Sequence, residues 1–205
     1  MMNPIQHAIE SRTSVNFFQP NRPLDDHVIQ DLVAQATKAP SVYNLQNWRF
    51  IAVRSADAKA RLQAASFGQQ KIMDASVAFI VCGTLAAYTQ LATVLHPSVE
   101  AGIMGQHIVD EWVAQLSAAH KANPALQRDE AIRSASLAAM TLMLAAQGMG
   151  LRSCPMNGFD VAQVSQAFNL DPTELPVIIV TVGYAADGNW PQKPRRALME
   201  VLSIE

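Results

Sequence analysis

The stretch VAFIVC, residues 77–82, is a short apolar run that no charged residue interrupts. Its length and its β-branched residues predict a strand that is buried on both faces. Residues 175–182 (LPVIIVTV) form a second run of this kind, and residues 48–53 predict a further strand. Helical patterns outnumber these strands and do not alternate strictly with them. This order favours an α+β fold over a doubly wound parallel sheet.

Helix signals occur along the whole chain. Asn3 and Pro4 are typical of an N-cap and a first helical residue, and they predict a helix that ends at Ser11. Asp160 is a second predicted N-cap. Within the longest helical pattern, residues 137–146 are nearly all apolar and predict a buried core helix. The further predicted helices are residues 24–39, 57–65, 85–120 with an interruption at His96-Pro97, 129–147 and 161–168.

Length and composition limit the class of protein. The 205 residues fit one domain, residues 1–205, and the 50% hydrophobic content with 16% charged residues supports a sizeable core and excludes a disordered chain. A net charge of −2 and a pI near 6.2 argue against nucleic-acid binding. The apolar runs are shorter than the roughly 20 residues of a membrane-spanning helix. We therefore expect a soluble protein with no nucleic-acid or membrane partner.

The cysteine content and the N-terminus bear on the compartment. Cys82 and Cys154 do not make a disulfide framework and are expected to be free thiols, as in a reducing cytoplasm. Glu10 and Arg12 interrupt the apolar stretch that a secretion signal requires, so no targeting segment is expected. Together these features predict a cytoplasmic location.

Common catalytic motifs are absent from the sequence. Gly148-Met149-Gly150 resembles the start of a dinucleotide fingerprint, but Ser153 occupies the position of the third glycine and the motif follows a helix rather than a strand. Helix C-capping explains these glycines better. The five histidines lack metal-ligand spacing, and neither a phosphate loop nor a Gly-x-Ser-x-Gly elbow occurs. We expect no metal site.

Three separated polar segments are unusual for an ordinary surface. They are residues 12–16 (RTSVN), 39–48 (APSVYNLQNW) and 193–196 (KPRR). Arginine forks and serine hydroxyls are donors that suit a phosphate group. Taken singly, each segment is also explained as a solvated charge, a turn or a basic tail.

Together and in this order, the segments resemble the nitroreductase family of flavin enzymes. Arg12 and Ser14 match an Arg-x-Ser motif, residues 39–48 match Ala-Pro-Ser-x-x-Asn-x-Gln-x-Trp, and Lys193 with Arg195 matches a C-terminal Lys-x-Arg. Two further stretches also match, residues 69–76 (QQKIMDAS) and residues 150–160 (GLRSCPMNGFD). The resemblance covers nearly the whole chain.

The resemblance implies a central, mostly antiparallel sheet flanked by helices, in an intertwined homodimer with non-covalent FMN at each of two subunit interfaces. NADH or NADPH is the implied electron donor. The partner subunit is expected to supply the segment that begins at Pro40. The implied cofactor-binding residues are Arg12, Thr13, Ser14, Asn16, Pro40, Ser41, Val42, Asn44, Gln69, Lys71, Pro155, Met156, Asn157, Gly158, Lys193 and Arg195.

Lys71 and Asn157 are the catalytic candidates. Reduced flavin carries negative charge at N1, and a cation there, for which Lys71 is the candidate, is expected to raise the two-electron potential. A backbone N–H near Asn157 is expected to bond flavin N5. Donor and acceptor are expected to use the same open face of the ring in turn, which predicts ping-pong kinetics. Lys71 as a solvated surface lysine and Cys154 as a packed hydrophobe remain alternatives.

Two positions depart from the family pattern. Asn47 stands where proline is usual, which loosens the loop backbone. Asn16 stands where a second basic residue is common, so the expected phosphate site has one charge fewer.

The leading functional hypothesis is an FMN-dependent NAD(P)H oxidoreductase that reduces nitroaromatics, quinones or similar electron-poor compounds. Three alternatives remain at this point. They are a specialised dehydrogenase or enoate-type reductase with one physiological substrate, a non-catalytic FMN-binding protein, and a helical scaffold without a cofactor.

Overall fold

A computed structural model describes residues 3–205 of the chain. Short 3-10 turns over Val42–Asn44, Ala87–Gln90 and Leu198–Glu200 supplement its helices. The α-helices are α1 Pro4–Ser11, α2 Asp26–Ala36, α3 Ala56–Ala64, α4 Lys71–Asp74, α5 Leu91–Glu100, α6 Gln106–His120, α7 Pro124–Gly148 and α8 Val161–Ala167.

One four-stranded sheet lies at the centre of the fold, in the order β1-β2-β4-β3 with every neighbouring pair antiparallel. Its strands are β1 Trp48–Val53, β2 Val77–Thr84, β3 Arg152–Met156 and β4 Glu174–Gly183. An antiparallel sheet with helices outside strict βαβ alternation confirms the α+β class.

Helices cover both faces of the sheet. Side chains of β2 alternate between two core clusters: Ile80 packs with residues of α3 and β3, whereas Phe79 packs with residues of α2 and α7. Residues 77–83 of β2 are all buried, as the unbroken apolar run predicts. Gly83 is required where β2 meets α7, because a Cβ there would lie 2.4 Å from the carbonyl oxygen of Ala131.

The predicted helix starts at α1 and α8 are confirmed. The Asn3 side chain accepts a hydrogen bond from the Gln6 N–H, and the Asp160 side chain accepts one from the Gln163 N–H. A third N-cap was missed: Asn123 caps α7, which begins at Pro124 rather than near residue 129. The signal has the same form as at α1, an asparagine followed by proline.

The predicted interruption at His96-Pro97 is wrong. Pro97 lies inside α5, and the chain breaks instead over residues 101–105, where Gly102 has a φ of +67°. Proline removes the hydrogen bond to the carbonyl four residues earlier, here that of Thr93. Both residues are exposed, so water can satisfy that carbonyl.

Two predictions for the region around α7 also need correction. Residues 152–156, interpreted as part of a loop, form the edge strand β3, where Pro155 is tolerated because an edge strand need not donate every ladder hydrogen bond. Residues 137–146 are not a fully buried helix, since Leu137 is 42% exposed and Met140 is 37% exposed. One face of α7 is buried and the other is open.

Candidate functional site

The segment after α1 runs along the edge strand β3. The backbone of Arg12 is extended, and Ser14 forms an isolated bridge with Ser153. The Val15 N–H donates to the Ser153 carbonyl at 3.2 Å. Residues 12–16 are therefore held beside β3 by backbone contacts. The side chains of Arg12, Thr13 and Ser14 are not needed for this attachment and can contact a ligand.

The C-terminal basic segment lies against the same residues. The Gln192 Nε2 donates to the Arg12 carbonyl at 3.2 Å, and a guanidinium nitrogen of Arg195 donates to Gln192 Oε1 at 2.9 Å. A cavity of about 160 Å³ lies between the two segments. Its lining residues are Arg12, Thr13, Ser14, Trp190, Pro191, Gln192, Lys193 and Arg195.

This cavity fits a phosphate group. One guanidinium nitrogen of Arg12 is buried and has no hydrogen-bond partner among the described residues. Arg12, Lys193 and Arg195 also form no ion pair with a carboxylate within residues 3–205. A buried donor without an acceptor is unfavourable unless a ligand supplies one. Three cations and two hydroxyls around one cavity are the donor set that a phosphate prefers.

Lys71 is half-buried beside the first segment. Its Nζ donates to Asn16 Oδ1 at 2.8 Å and lies 3.7 Å from the Sγ of Cys154. Burial raises the pKa of the Cys154 thiol, and the positive charges of Lys71, Arg12 and Lys193 partly oppose that shift. Lys71 and two cations of the cavity, Arg12 and Lys193, thus act together on the buried Cys154 sulfur.

Gln69 lies just before α4 and contacts the loop that follows β3. Its Nε2 donates to the Gly158 carbonyl at 2.7 Å, and a Cβ on Gly158 would lie 3.0 Å from that nitrogen. Asn157 and Gly158 are exposed, Pro155 is half-buried, and the Met156 side chain lies in the core at 4% exposure. Met156 is therefore limited to backbone contacts with a ligand.

The segment with Pro40, Ser41, Val42 and Asn44 lies elsewhere in the chain, and no hydrogen bond or shared cavity joins it to Arg12 within the described residues. Val42 and Tyr43 pack on the cluster formed by α5 and α6, and the Tyr43 hydroxyl donates to Gln115 Oε1 at 3.1 Å. Ser41 Oγ accepts from the Gln46 N–H at 2.8 Å.

The backbone of this segment is strained. Tyr43, Asn44 and Gln46 have φ angles of 49°, 56° and 51°. Strain of this kind persists only where surrounding contacts impose it, and it is often found at functional sites. For Tyr43 the surrounding contacts are those with α5 and α6.

A larger cavity of about 570 Å³ lies between α8 and the start of β4. Asp171 and Glu174 line it, and no lysine or arginine does. Its charge disfavours an anionic ligand, so the smaller cationic cavity is the better candidate site despite its size. No His, Cys, Asp and Glu group in the described part of the chain has the arrangement of a metal site.

Sequence reasoning missed two residues that connect the site. Gln192 links Arg12 to Arg195, and Asn189 bonds the backbone of Asn16 and Phe17. Partners of Asn189 lie 172 and 173 residues away in the sequence. No local pattern marks such a contact, so only the fold reveals it.

The chain is also similar to known proteins over most of its length. The family profile described as "Nitroreductase family" matches residues 9–184. MhqN of Bacillus subtilis (strain 168), provisionally named an NAD(P)H nitroreductase, is 32% identical over 183 residues, 89% of each chain. The CLA biosynthesis enone reductase of Lactiplantibacillus plantarum is 27% identical over 188 residues, 90% of this chain and 87% of that one.

Structural similarity agrees with the sequence comparison. A protein of Exiguobacterium sibiricum 255-15, solved in complex with FMN, superposes with a TM-score of 0.90 at 27% identity and covers 98% of this chain and 97% of its own. The sheet order, the clustered Arg12 and Lys193 segments and these similarities lead to one assignment. The chain belongs to the nitroreductase family.

Proposed function

We propose that this chain is an FMN-dependent oxidoreductase that passes electrons from NADH or NADPH to nitroaromatics, quinones or similar electron-poor acceptors. The observation that carries the proposal is the buried, unpartnered guanidinium nitrogen of Arg12 in a cavity that Lys193 and Arg195 also line. Family membership and the FMN complex of the Exiguobacterium sibiricum protein support the choice of ligand. Residues 1–205 form one domain in this proposal.

The phosphate group of FMN belongs in the cationic cavity. Arg12, Lys193 and Arg195 supply positive charge there, and the hydroxyls of Thr13 and Ser14 supply neutral donors. A phosphate carries nearly two negative charges at neutral pH. Because these donors are already in place, they lose little conformational freedom when they bind the phosphate.

Bound FMN would supply hydride transfer at its N5 position. The protein's part is to hold a positive charge and a backbone donor in fixed positions near the ring. Asn16 accepts one of the Lys71 ammonium hydrogens, which holds that charge in one position. Gln69 fixes the loop of Asn157 and Gly158 through the Gly158 carbonyl. In this proposal Lys71 stabilises negative charge on the reduced ring, and Asn157 offers its backbone N–H.

The proposed working unit is a homodimer in which the partner subunit supplies Pro40, Ser41, Val42 and Asn44. These four residues do not reach the cationic cavity within one chain. Surfaces that a second copy can cover are present: α7 exposes Leu137 and Met140, and the C-terminal tail exposes residues such as Met199 (93%) and Ile204 (89%). In this proposal a second copy of the chain packs on these exposed apolar side chains.

A ping-pong mechanism is part of the proposal, with the donor leaving before the acceptor binds on the same open face. The proposed location is the cytoplasm, which the free thiols of Cys82 and Cys154 support. Among the helices of residues 3–205, none has the length and apolar content to cross a membrane.

The test begins with the visible spectrum of the purified protein, followed by anaerobic titration with NADH and with NADPH. The expected result is a flavin spectrum that either nucleotide bleaches, and parallel double-reciprocal plots with a quinone as acceptor. A colourless protein that takes up no FMN and oxidises neither nucleotide would contradict the proposal.

A second candidate activity is reduction of one unsaturated carbonyl substrate. The observation that favours it is the similarity to the CLA biosynthesis enone reductase. Turnover of nitro, quinone and enone acceptors under one set of conditions separates the two. A broad profile supports the first proposal, and a high kcat/KM for enones alone supports the second.

A further inference from the structure

Asn189 uses its whole side chain to join two distant parts of the backbone. Its Oδ1 accepts from the N–H groups of Asn16 at 2.7 Å and Phe17 at 3.0 Å. Its Nδ2 donates to the carbonyls of Phe17 and Ala186, both at 2.8 Å. An asparagine side chain has two acceptor positions and two donor hydrogens, so all four are used.

The position of Asn189 in the chain gives these bonds their significance. It follows Gly188, whose φ of +88° turns the backbone, and it directly precedes the residues that line the cationic cavity. Its partner Asn16 lies two residues after Ser14, where the other lining segment, residues 12–14, ends. Asn189 therefore connects the two chain segments around the cavity by hydrogen bonds. It does so on the side where Asn16 also accepts a hydrogen bond from Lys71.

Backbone hydrogen bonds between the two stretches do not extend as far as Asn16. Residues 17–19 and 184–186 pair through the Phe18–Ala185 bridge, the Ala186 N–H to Phe17 carbonyl bond and the Gln19 N–H to Tyr184 carbonyl bond. This short ladder ends at Phe17. Beyond it, Asn189 is the side chain that carries the connection on to Asn16.

We propose that Asn189 is a positioning residue that sets the separation of residues 12–16 and 190–195 and so tunes the cavity to a phosphate group. This inference rests on the proposed function, because it takes the phosphate of FMN as the ligand. Asn189 acts through Arg12 and Lys193 and does not itself contact the ligand. Its loss widens the cavity and weakens phosphate binding much more than it weakens contacts to the flavin ring.

The test compares the Kd of FMN with the Kd of riboflavin, which has the same ring and no phosphate. Wild-type protein is expected to bind FMN much more tightly than riboflavin. In Asn189→Ala the Kd of FMN rises tenfold or more and the Kd of riboflavin changes less than twofold. A purely structural role would weaken both ligands alike, so the ratio of the two constants is the decisive readout.

Gln19→Ala is the matched control. Gln19 Nε2 donates to the Ala185 carbonyl at 2.8 Å, so this variant also removes a side-chain bond between the same two stretches, away from the cavity. Its FMN to riboflavin ratio is expected to equal that of the wild type. Asn189→Ser replaces the amide by a hydroxyl, which can make fewer of these hydrogen bonds, and it gives the measurement if Asn189→Ala does not fold.

The possible failures are distinguishable. Equal wild-type affinity for FMN and riboflavin overturns the phosphate site and, with it, this part of the proposed function. A wild-type preference for FMN that Asn189→Ala and Asn189→Ser both retain leaves the proposed function intact and overturns the role of Asn189. The role of Asn189 is also overturned if Gln19→Ala reduces the preference for FMN over riboflavin as much as Asn189→Ala does. The effect would then come from a general loosening of the two stretches.

Discussion

At the scale of single residues, position rather than charge alone distinguishes Lys71 from the other lysines. Its ammonium lies between Asn16 Oδ1 and Cys154 Sγ, at 2.8 and 3.7 Å. The acceptor on Asn16 is neutral, so the positive charge of Lys71 is not cancelled locally. A charge held in this way is available to a bound ligand.

Lys71→Ala is therefore expected to lower the two-electron midpoint potential of bound flavin. A loss of about 1.4 kcal/mol of stabilisation corresponds to about 30 mV for two electrons. Dye-equilibrated spectroelectrochemistry measures the shift, with Lys121→Ala as the control because Lys121 is exposed and belongs to no segment assigned to the site. An unshifted potential in Lys71→Ala would show that its charge acts elsewhere.

Cys82 shows how burial changes a titratable group. Burial within β2, with a smaller contribution from Glu174, raises the pKa of the Cys82 thiol from its ordinary 9.0 to about 12, against the opposing effect of Arg49. The folded chain therefore keeps a proton that the unfolded chain releases above pH 9. The stabilisation from this group is complete below pH 9 and is lost as the pH rises towards 12.

We accordingly expect the free energy of unfolding to fall more steeply between pH 9 and 12 in the wild type than in Cys82→Ala. Urea unfolding at several pH values measures both slopes. Below pH 9 the alanine variant is less stable because it leaves a cavity, so the slope and not the absolute value is compared. Identical slopes would mean that Cys82 does not titrate in this range.

At the scale of elements, α7 combines two surfaces in one helix. Ala135, Ala139 and Leu142 pack towards the sheet, whereas Leu137 and Met140 point outwards. The sequence pattern showed a continuous apolar stretch and so predicted complete burial. Within residues 3–205 the two outward side chains stay partly exposed, and periodicity within one helix could not separate buried from exposed apolar positions.

The double variant Leu137→Asp/Met140→Asp is expected to convert the proposed homodimer into a monomer, because two charges cannot be buried without partners. Sedimentation velocity measures the change, and FMN affinity should fall with it if the partner supplies residues 40–44. Val161→Asp, which replaces an exposed apolar residue on α8, is the control. A Leu137→Asp/Met140→Asp variant that remains dimeric would exclude this face from the interface.

At the scale of the whole molecule, the two ends of the chain meet at one cavity. Arg12 and Gln192 are bonded although 180 residues separate them. A ligand that binds both ends should therefore stabilise the entire fold. At one hundred times its Kd, FMN adds about 2.7 kcal/mol of stability, which raises the Tm of a chain of this size by about 5–10 °C.

Arg195→Ala is expected to reduce this rise in Tm at the same FMN concentration, because it removes one of the three cations that line the cavity. Differential scanning fluorimetry with and without FMN measures the effect. Arg196→Ala is the control, since its guanidinium bonds Glu200 instead. An equal rise in Tm for wild type and Arg195→Ala would place the phosphate elsewhere.

Local signals in the sequence determined the strand β2, the caps at Asn3 and Asp160, and the polar and basic residue types of segments 12–16 and 193–196, because each depends on neighbours a few positions away. Tertiary structure alone decided that residues 12–16 and 190–195 meet, that Asn189 fastens them, and that one face of α7 stays open. Those contacts join residues far apart in the chain, and their free energy exists only once the sheet has brought the two ends together. Local sequence propensity therefore does not predict these contacts.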